Sequence, residues 1–346
     1  MSQINFFAEN DRLARLSKMG DPLEKIAMVI NFEIFRPILN RAFYKEAKGQ
    51  GGRPAWDYVM MFKILLMQQW YSIADDAAEY QINDRLSFQR FLGLSLGDKV
   101  PDAKTIWLFR ENLTKSGAFQ ELFTLFAEQL ETQGVITRTG SIIDATFTDA
   151  PRQRNTHDEN KQIKEGQGED LWKENDHKRR QKDIDARWTK KNDEKHYGYK
   201  DHVKVDRDSK MIVDYLVTDA SVHDSQAIVD LIDLKDNVIY ADSAYTGEEL
   251  QQAILNKNPD LKLRINEKGY RNKPLTDTQK ENNREKSKNR VRVEHVFGHM
   301  TNSFGGIFVR SIGVSRATCQ ISLKNLAYNL HRYECMVRLK IIPLSN

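Results

Sequence analysis

Three acidic residues, Asp144, Asp242 and Glu294, stand where carboxylates could converge on metal ions. Sites that cut or join phosphodiester bonds commonly hold two hard cations about 3.5–4 Å apart, and carboxylate oxygens are ligands that such cations prefer. The three acids are widely separated along the chain, so only a fold that brings them together makes them one site. The elements that carry them therefore decide the interpretation.

Asp144 lies in the middle of an apolar run, residues 141–147, that predicts a short β-strand. An ionised carboxylate on a central strand is costly to bury unless it is paired or bound to a metal. This cost favours a functional role for Asp144. An edge strand that turns the residue to solvent, or a turn that it caps, is the structural alternative.

Asp242 and Glu294 occupy positions that suit either chemistry or plain structure. Asp242 follows the predicted strand 237–241, at the carboxyl end where sites of open α/β sheets collect, yet it could equally cap the next helix. Glu294 lies in a helix predicted over residues 286–304, about 100° from the apolar stripe that starts at Val293. Arg290 shares its face, so an exposed Arg290–Glu294 pair is the structural alternative to a catalytic role.

The elements around these acids predict an all-α N-terminal domain, residues 1–135, and an α/β domain, residues 136–346. The second domain runs strand, two strands, helix, strand, helix, strand, helix, helix. Such an order requires a mixed sheet with helices on both faces. It matches the ribonuclease-H-like fold, which we predict for the catalytic α/β domain.

A charged stretch at about 152–200 interrupts this order after the first strand. It contains 14 Lys or Arg against 11 Asp or Glu and few aliphatic residues, so it is predicted to bury no core of its own. A solvated or disordered insertion and a segment that becomes ordered on nucleic acid both fit this composition.

The composition predicts a cytoplasmic protein that does not enter a membrane. The chain has 346 residues, 40% hydrophobic and 29% charged, with no apparent signal peptide. Cys319 and Cys335 are expected to be reduced thiols. The net charge is only +4, whereas residues 262–294 alone carry 11 Lys or Arg against 5 Asp or Glu. Such a cluster suits phosphate binding, and a solvated basic face is the alternative.

Several segments resemble the catalytic motifs of DDE transposases. They are Ile-Asp-Ala-Thr at 143–146, Ala-Asp-Ser-Ala-Tyr at 241–245, and Arg290 followed after three residues by Glu294-His295. The similarity is greatest to the insertion sequence five group, within the insertion sequence four-type transposases. Residues 185–189, 196–202, 217–224 and the helical stretch 56–91 also look like that group, so the resemblance spans roughly residues 35–335.

The resemblance implies a bacterial transposase that binds the ends of an insertion sequence and catalyses Mg²⁺-dependent strand cleavage and strand transfer. Asp144 would bridge two Mg²⁺ ions, Asp242 and Glu294 would each complete one site, and Mn²⁺ would substitute. Double-stranded DNA, both terminal inverted repeats and target, would be bound by a homodimer or a larger assembly, at the nucleoid when the protein acts. We predict DNA contacts from Lys286, Lys288, Arg290, Arg292 and Tyr245.

Two positions depart from the family pattern, since Ser287 replaces a Tyr and Thr301 replaces a Lys. These changes leave open a catalytically weakened, DNA-binding relic of a transposase. A ribonuclease-H-like nuclease without strand transfer is a further alternative. Residues 73–91 could form a helix-turn-helix that reads terminal repeats or an ordinary helix pair. His223-Asp224 could support a metal ligand, although Asp224 is also well placed to cap a helix.

Overall fold

A computed structural model describes residues 8–44, 54–191, 193–269 and 274–343. Contacts divide the chain into two compact units, Met1–Leu125 with Leu326–Asn346, and Phe126–Asn325. The boundaries fall within helix α8, Ala118–Thr132, and helix α15, Val314–Arg338. Within the described residues, no helix is long and apolar enough to cross a membrane.

The first unit is helical, which confirms the prediction for the N-terminal region. Asp21 caps α2 as predicted, since its carboxylate accepts a hydrogen bond from the Leu23 amide at 2.9 Å. The helix expected at 56–71 is α4, which is buried nearly all round. Besides α8 and α15, the helices are α1 Ala8–Met19, α2 Pro22–Val29, α3 Arg36–Phe43, α4 Tyr58–Tyr71, α5 Asp75–Asp84, α6 Leu86–Leu92 and α7 Ala103–Ser116.

Helices α5 and α6 form the pair predicted at 73–91, and a single residue, Arg85, separates them. A helix-turn-helix normally joins its two helices through a turn of three or four residues. The connection is therefore shorter than that motif requires, and recognition of terminal repeats by this unit stays a prediction.

The second unit contains the predicted mixed sheet. Strands β3 and β1 are antiparallel neighbours, β5 is parallel to β1, and β6 is parallel to β5. Strands β2 and β4 pair in succession with the other edge of β3. The strands are β1 Ser141–Asp149, β2 Arg187–Lys191, β3 Glu194–Asp206, β4 Ile212–Asp219, β5 Val238–Ala241 and β6 Lys262–Ile265.

Helices cover both faces of this sheet. On one face Ile143 packs with buried residues of α11 and α12, and on the other Tyr199 packs with buried residues of α15. Both cysteines are free thiols, as predicted. The remaining helices are α9 His157–Lys164, α10 Asp176–Arg180, α11 Asp224–Leu231, α12 Glu248–Lys257, α13 Asp277–Arg290 and α14 Arg292–Ser303.

The single helix predicted over residues 286–304 is instead two helices, α13 and α14, which meet at Val291. The Glu294 amide bonds to the Val291 carbonyl at 3.1 Å, a tighter turn than an α-helix makes. Helix α13 buries none of its residues, whereas α14 buries three. The predicted apolar stripe therefore continues only through the second helix.

The charged stretch expected at 152–200 ends sooner than predicted, because residues 187–191 and 194–200 belong to β2 and β3. Tyr197 and Tyr199 lie on either side of Gly198 and are both buried, as is every residue of β3 from Tyr197 to Asp206. Strand β3 pairs with β1 on one edge and with β2 and β4 on the other, and this central position, not the overall charge, determines the strand. The rest of the stretch forms short helices, of which α9 begins with a capping box between Thr156 and Glu159.

Gly198 is required where β1, β2 and β3 meet. A Cβ atom at this position would lie 2.4 Å from the Thr148 carbonyl oxygen, and the φ of +147° is unfavourable for other residues. We expect Gly198→Ala to destabilise the protein by at least about 2–3 kcal/mol in urea unfolding. Gly97→Ala is the matched control, because nothing lies within 4 Å of its added Cβ. Equal stabilities of the two variants would contradict this role.

Candidate functional site

The sheet register brings Asp144 and Asp242 together. Strands β1 and β5 are parallel, with Ser141 opposite Ile239 and Ile142 opposite Tyr240. Continuing that register by two residues places Asp144 beside Asp242, where β5 ends. Asp144 is largely buried, with 13% of its side chain exposed, so it does not point freely into solvent as an edge-strand residue would.

Arg290 links this pair to the third acid. Its Nη1 lies 2.6 Å from Oδ2 of Asp144 and 3.5 Å from Oε1 of Glu294. The ion pair considered as a structural alternative is thus present, but it is shared with Asp144 on the sheet. All three predicted acids therefore lie around one point, with a guanidinium between two of them.

The surroundings of Asp144 disfavour its negative charge, because the single guanidinium of Arg290 does not offset burial and the two neighbouring acids. Burial raises the pKa of Asp144 to about 6, and the charges of Asp242 and Glu294 act in the same direction, against the opposing effect of Arg290. A divalent cation would relieve this repulsion among oxygen ligands. The donor set therefore fits a hard metal ion.

Asp242 also makes the capping contact that its position suggested. Its Oδ1 accepts a hydrogen bond from the Ala244 amide at 2.7 Å. The cap fixes the carboxylate at the end of β5 beside Asp144. Asp242 can cap the turn and still bind a metal ion, because Oδ1 accepts the hydrogen bond and Oδ2 is left for the metal.

Tyr245 was predicted to contact DNA, and the structure places it elsewhere. It is 1% exposed and packs in the core beside Ile143, so its ring cannot reach DNA in this conformation. Its buried hydroxyl has no hydrogen-bond partner among the described residues. Burial and the charges of Asp144, Asp224 and Asp242 raise the pKa of Tyr245. This unpaired hydroxyl near the acids is a second feature that fits a bound, hydrated metal ion.

The other predicted DNA contacts divide into exposed and structural side chains. Lys288 is exposed, whereas Lys286 donates to the Ile265 carbonyl at 2.9 Å. Arg292 donates to the Arg207 carbonyl at 2.7 Å. The latter two contacts hold α13 against the end of β6 and α14 against the β3–β4 turn. Residues 270–273 of the predicted basic segment lie outside the described residues.

Asp224 lies near the site and forms an ion pair that the sequence did not predict. Its Oδ1 lies 2.8 Å from Nζ of Lys200, an ion pair that joins α11 to β3. The same ammonium donates to the Val222 carbonyl at 2.6 Å. The cap of α11 is His223, which accepts from the Ser225 amide, and not Asp224 as expected. Only the run of polar residues at 196–202 hinted at such a buried pair.

A proton and a metal ion compete for the Asp144 carboxylate, so we predict that the affinity for metal depends on pH. Because the pKa of Asp144 is raised to about 6, a metal must displace a proton below that pH but not above it. We expect affinity for Mn²⁺, measured by electron paramagnetic resonance, to fall about tenfold per pH unit below 6 and to level off above about 7. Asp144→Asn should bind weakly with little pH dependence. An unchanged pH dependence in that variant would contradict the assignment.

Comparison with known proteins identifies the family. Residues 136–330 match the family described as transposase DDE domain, and residues 11–112 match a transposase domain (DUF772). The first match covers more than half of the chain, so the protein belongs to the DDE transposase family. It is therefore a metal-dependent DNA transposase. A solved structure of piggyBac transposase in a synaptic complex with hairpin DNA is similar with a TM-score of 0.45 and 12% identity, over 94% of this chain and 77% of that chain.

Proposed function

We propose that this transposase belongs to a bacterial insertion sequence of the insertion sequence five group and that its second unit has the ribonuclease-H-like fold. The motifs around the three acids support the group. The strand order supports the fold, because three antiparallel strands, β4, β3 and β1, continue into the parallel strands β5 and β6.

The observation that carries the proposed site is the contact of Arg290 with both Asp144 and Glu294, at the point where the register places Asp242. We assign Asp144, Asp242 and Glu294 as ligands of two Mg²⁺ ions, with Mn²⁺ as a substitute. When bound, the ions supply charge neutralisation and an activated water for phosphoryl transfer.

The protein's own residues prepare this site. Strand β1 holds Asp144 rigidly, the cap at Ala244 orients Asp242, and α14 presents Glu294. The Tyr245 hydroxyl can donate a hydrogen bond to an oxygen among the acids. Arg290 neutralises the acids before metal binds, and afterwards its guanidinium is available to a DNA phosphate.

DNA contacts near the cleaved bond are assigned to Arg290 and Lys288. Lys286 and Arg292 act through the positions of α13 and α14. Because two element ends must be held together for transposition, we propose a homodimer at least on DNA. The first unit is proposed to contribute recognition of the terminal inverted repeats.

The test is cleavage of DNA carrying the inverted repeats that border the gene. We expect Mg²⁺-dependent cuts that leave a 3′-OH at the repeat end, and no such cuts in a duplex with a scrambled repeat. Equal cleavage of both duplexes would contradict end recognition, and absence of any cleavage would contradict an active enzyme.

A further inference from the structure

We propose that a basic β-ribbon at the end of the sheet, formed by Arg187–Lys191 of β2 and residues 194–198 of β3, binds the DNA duplex several base pairs from the cleaved bond. Throughout, "the ribbon" means these two segments. The inference rests on the proposed function and adds a binding surface beyond the site of the three acids. It concerns the second unit alone.

One face of the ribbon carries the exposed side chains of Trp188, Lys190 and Lys195, together with Tyr197, whose ring is 3% exposed and packs in the core beneath Trp188. The pairing places Trp188 opposite Tyr197 and Lys190 opposite Lys195, and the side chains of paired residues point to the same face. Trp188 is 41% exposed. The guanidinium of Arg152 lies 5.7 Å from the centre of its ring. Exposed lysines on this face suit the phosphate backbone of a duplex.

The paired lysines indicate an anionic partner. Like charges directly opposite each other destabilise a strand pair. Lys190 is partly compensated by Asp193 in the adjoining turn. The acidic residue within the paired strands, Glu194, is opposite Lys191 and so lies on the other face. A phosphate backbone on the Lys190 face would neutralise the remaining repulsion.

The opposite face of the ribbon is packed against the protein. His196 stacks on Phe147 with ring centroids 4.0 Å apart and an angle of 6° between the rings. Lys191 and Lys200 both lie near the same Phe147 ring. This packing fixes the ribbon as a rigid extension of β1 and β3, and a two-stranded ribbon has the dimensions to enter a DNA groove.

The sheet also sets the position of the ribbon relative to the site. Asp144 is opposite Val203 on β3, so its side chain lies on the same face as Tyr197 and therefore as Trp188. At about 3.3 Å per residue, Trp188 lies roughly 20 Å and Lys190 roughly 27 Å from Asp144 along the strands. Helix α15 covers Tyr197 and Tyr199 on this face, so the duplex would run beside the strands and not across the sheet. With about 3.4 Å per base pair, a duplex aligned with the strands meets the ribbon about six to eight base pairs from the cleaved bond.

Lysines on an edge strand can also serve only to prevent edge-to-edge aggregation. The test compares Lys190→Gln/Lys195→Gln with Lys235→Gln/Lys257→Gln. The control variant removes the same charge from two exposed lysines that precede β5 and β6. These lysines lie toward the amino ends of the two strands, whereas Asp242 follows the carboxyl end of β5. The probe is a 40-base-pair duplex with the bordering inverted repeat at its centre, without divalent metal, and thermal unfolding confirms that each variant folds.

We expect the ribbon variant to bind the duplex about tenfold more weakly at 0.1 M NaCl. The slope of log binding constant against log salt concentration should become shallower by about two, one for each lysine removed. Hydroxyl-radical protection six to eight base pairs from the cleavage position should disappear. The control pair should leave both unchanged. Identical affinities, slopes and footprints for the two variants would overturn the proposal, as would aggregation of the ribbon variant with unchanged DNA binding. If wild-type protein binds repeat and scrambled duplexes equally while the ribbon effect persists, end recognition fails and the ribbon assignment stands.

Discussion

Asp144→Asn is expected to lower DNA cleavage and strand transfer by at least about 10³-fold while the protein stays folded. The substitution keeps the shape of the side chain and removes the charge that a metal ion requires. Burial and two neighbouring acids already oppose ionisation of Asp144, so a neutral amide should not reduce the melting temperature. Cleavage of repeat-ended DNA in Mg²⁺, together with a thermal melt, measures both effects.

Asp149→Asn is the matched control for this prediction. Asp149 lies on the same strand, but its side chain is 61% exposed. We expect this variant to retain cleavage within about threefold of the wild-type rate. Loss of activity in both variants would show that any change in the charge of β1 is harmful. Full activity of Asp144→Asn would remove Asp144 from the site.

The largest effect on stability is expected from the buried ion pair between Lys204 and Asp236. Both side chains are 0% exposed, and Nζ of Lys204 lies 3.1 Å from Oδ2 of Asp236 and 3.0 Å from Oδ2 of Asp233. Lys204→Met leaves Asp236 buried without this partner, which costs about 3–5 kcal/mol of unfolding free energy. Since these aspartates precede β5, the loss should also reduce activity by disturbing Asp242.

Urea unfolding measures this cost, with Lys235→Met as the control. Lys235 is 65% exposed and pairs with Glu131 at 3.1 Å, so its removal should cost less than about 1 kcal/mol. The double variant Lys204→Met/Asp236→Leu should be more stable than Lys204→Met alone, because no buried charge is left unpaired. A smaller loss for Lys204→Met than for Lys235→Met would refute this account.

Patterns of apolar residues predicted the architecture well. Strand β1, with apolar residues before and after Asp144, strand β5 and the largely apolar helix α4 all appear where the sequence indicated. The part of β3 that contains Tyr197 and Tyr199 was missed, because charged residues precede and follow the two tyrosines. Lys200 and Lys204 are buried through ion pairs with distant aspartates, and a sequence does not show which partner a buried charge will find.

The candidate site was predictable in its acids and less so in its surroundings. Fold order and motif indicated Asp144, Asp242 and Glu294; in the structure Arg290 contacts Asp144 and Glu294, and the sheet register sets Asp242 beside Asp144. The burial of Tyr245 was not foreseeable, because the turn after β5 directs the ring inward. Ser287, which departs from the family pattern, accepts a hydrogen bond from Asn266 at 3.0 Å. The change at this position thus serves the packing of α13 against the end of β6.

Strand transfer from a pre-cleaved element end tests the central claim most directly. A duplex that ends in the bordering inverted repeat with a free 3′-OH is incubated with Mg²⁺ and a supercoiled target plasmid. We predict joined products with the wild-type protein and with Asp149→Asn, and none with Asp144→Asn, Asp242→Asn or Glu294→Gln. Nicking of the plasmid without joining, or joining that persists in the three acid variants, would contradict a transposase that acts through these carboxylates.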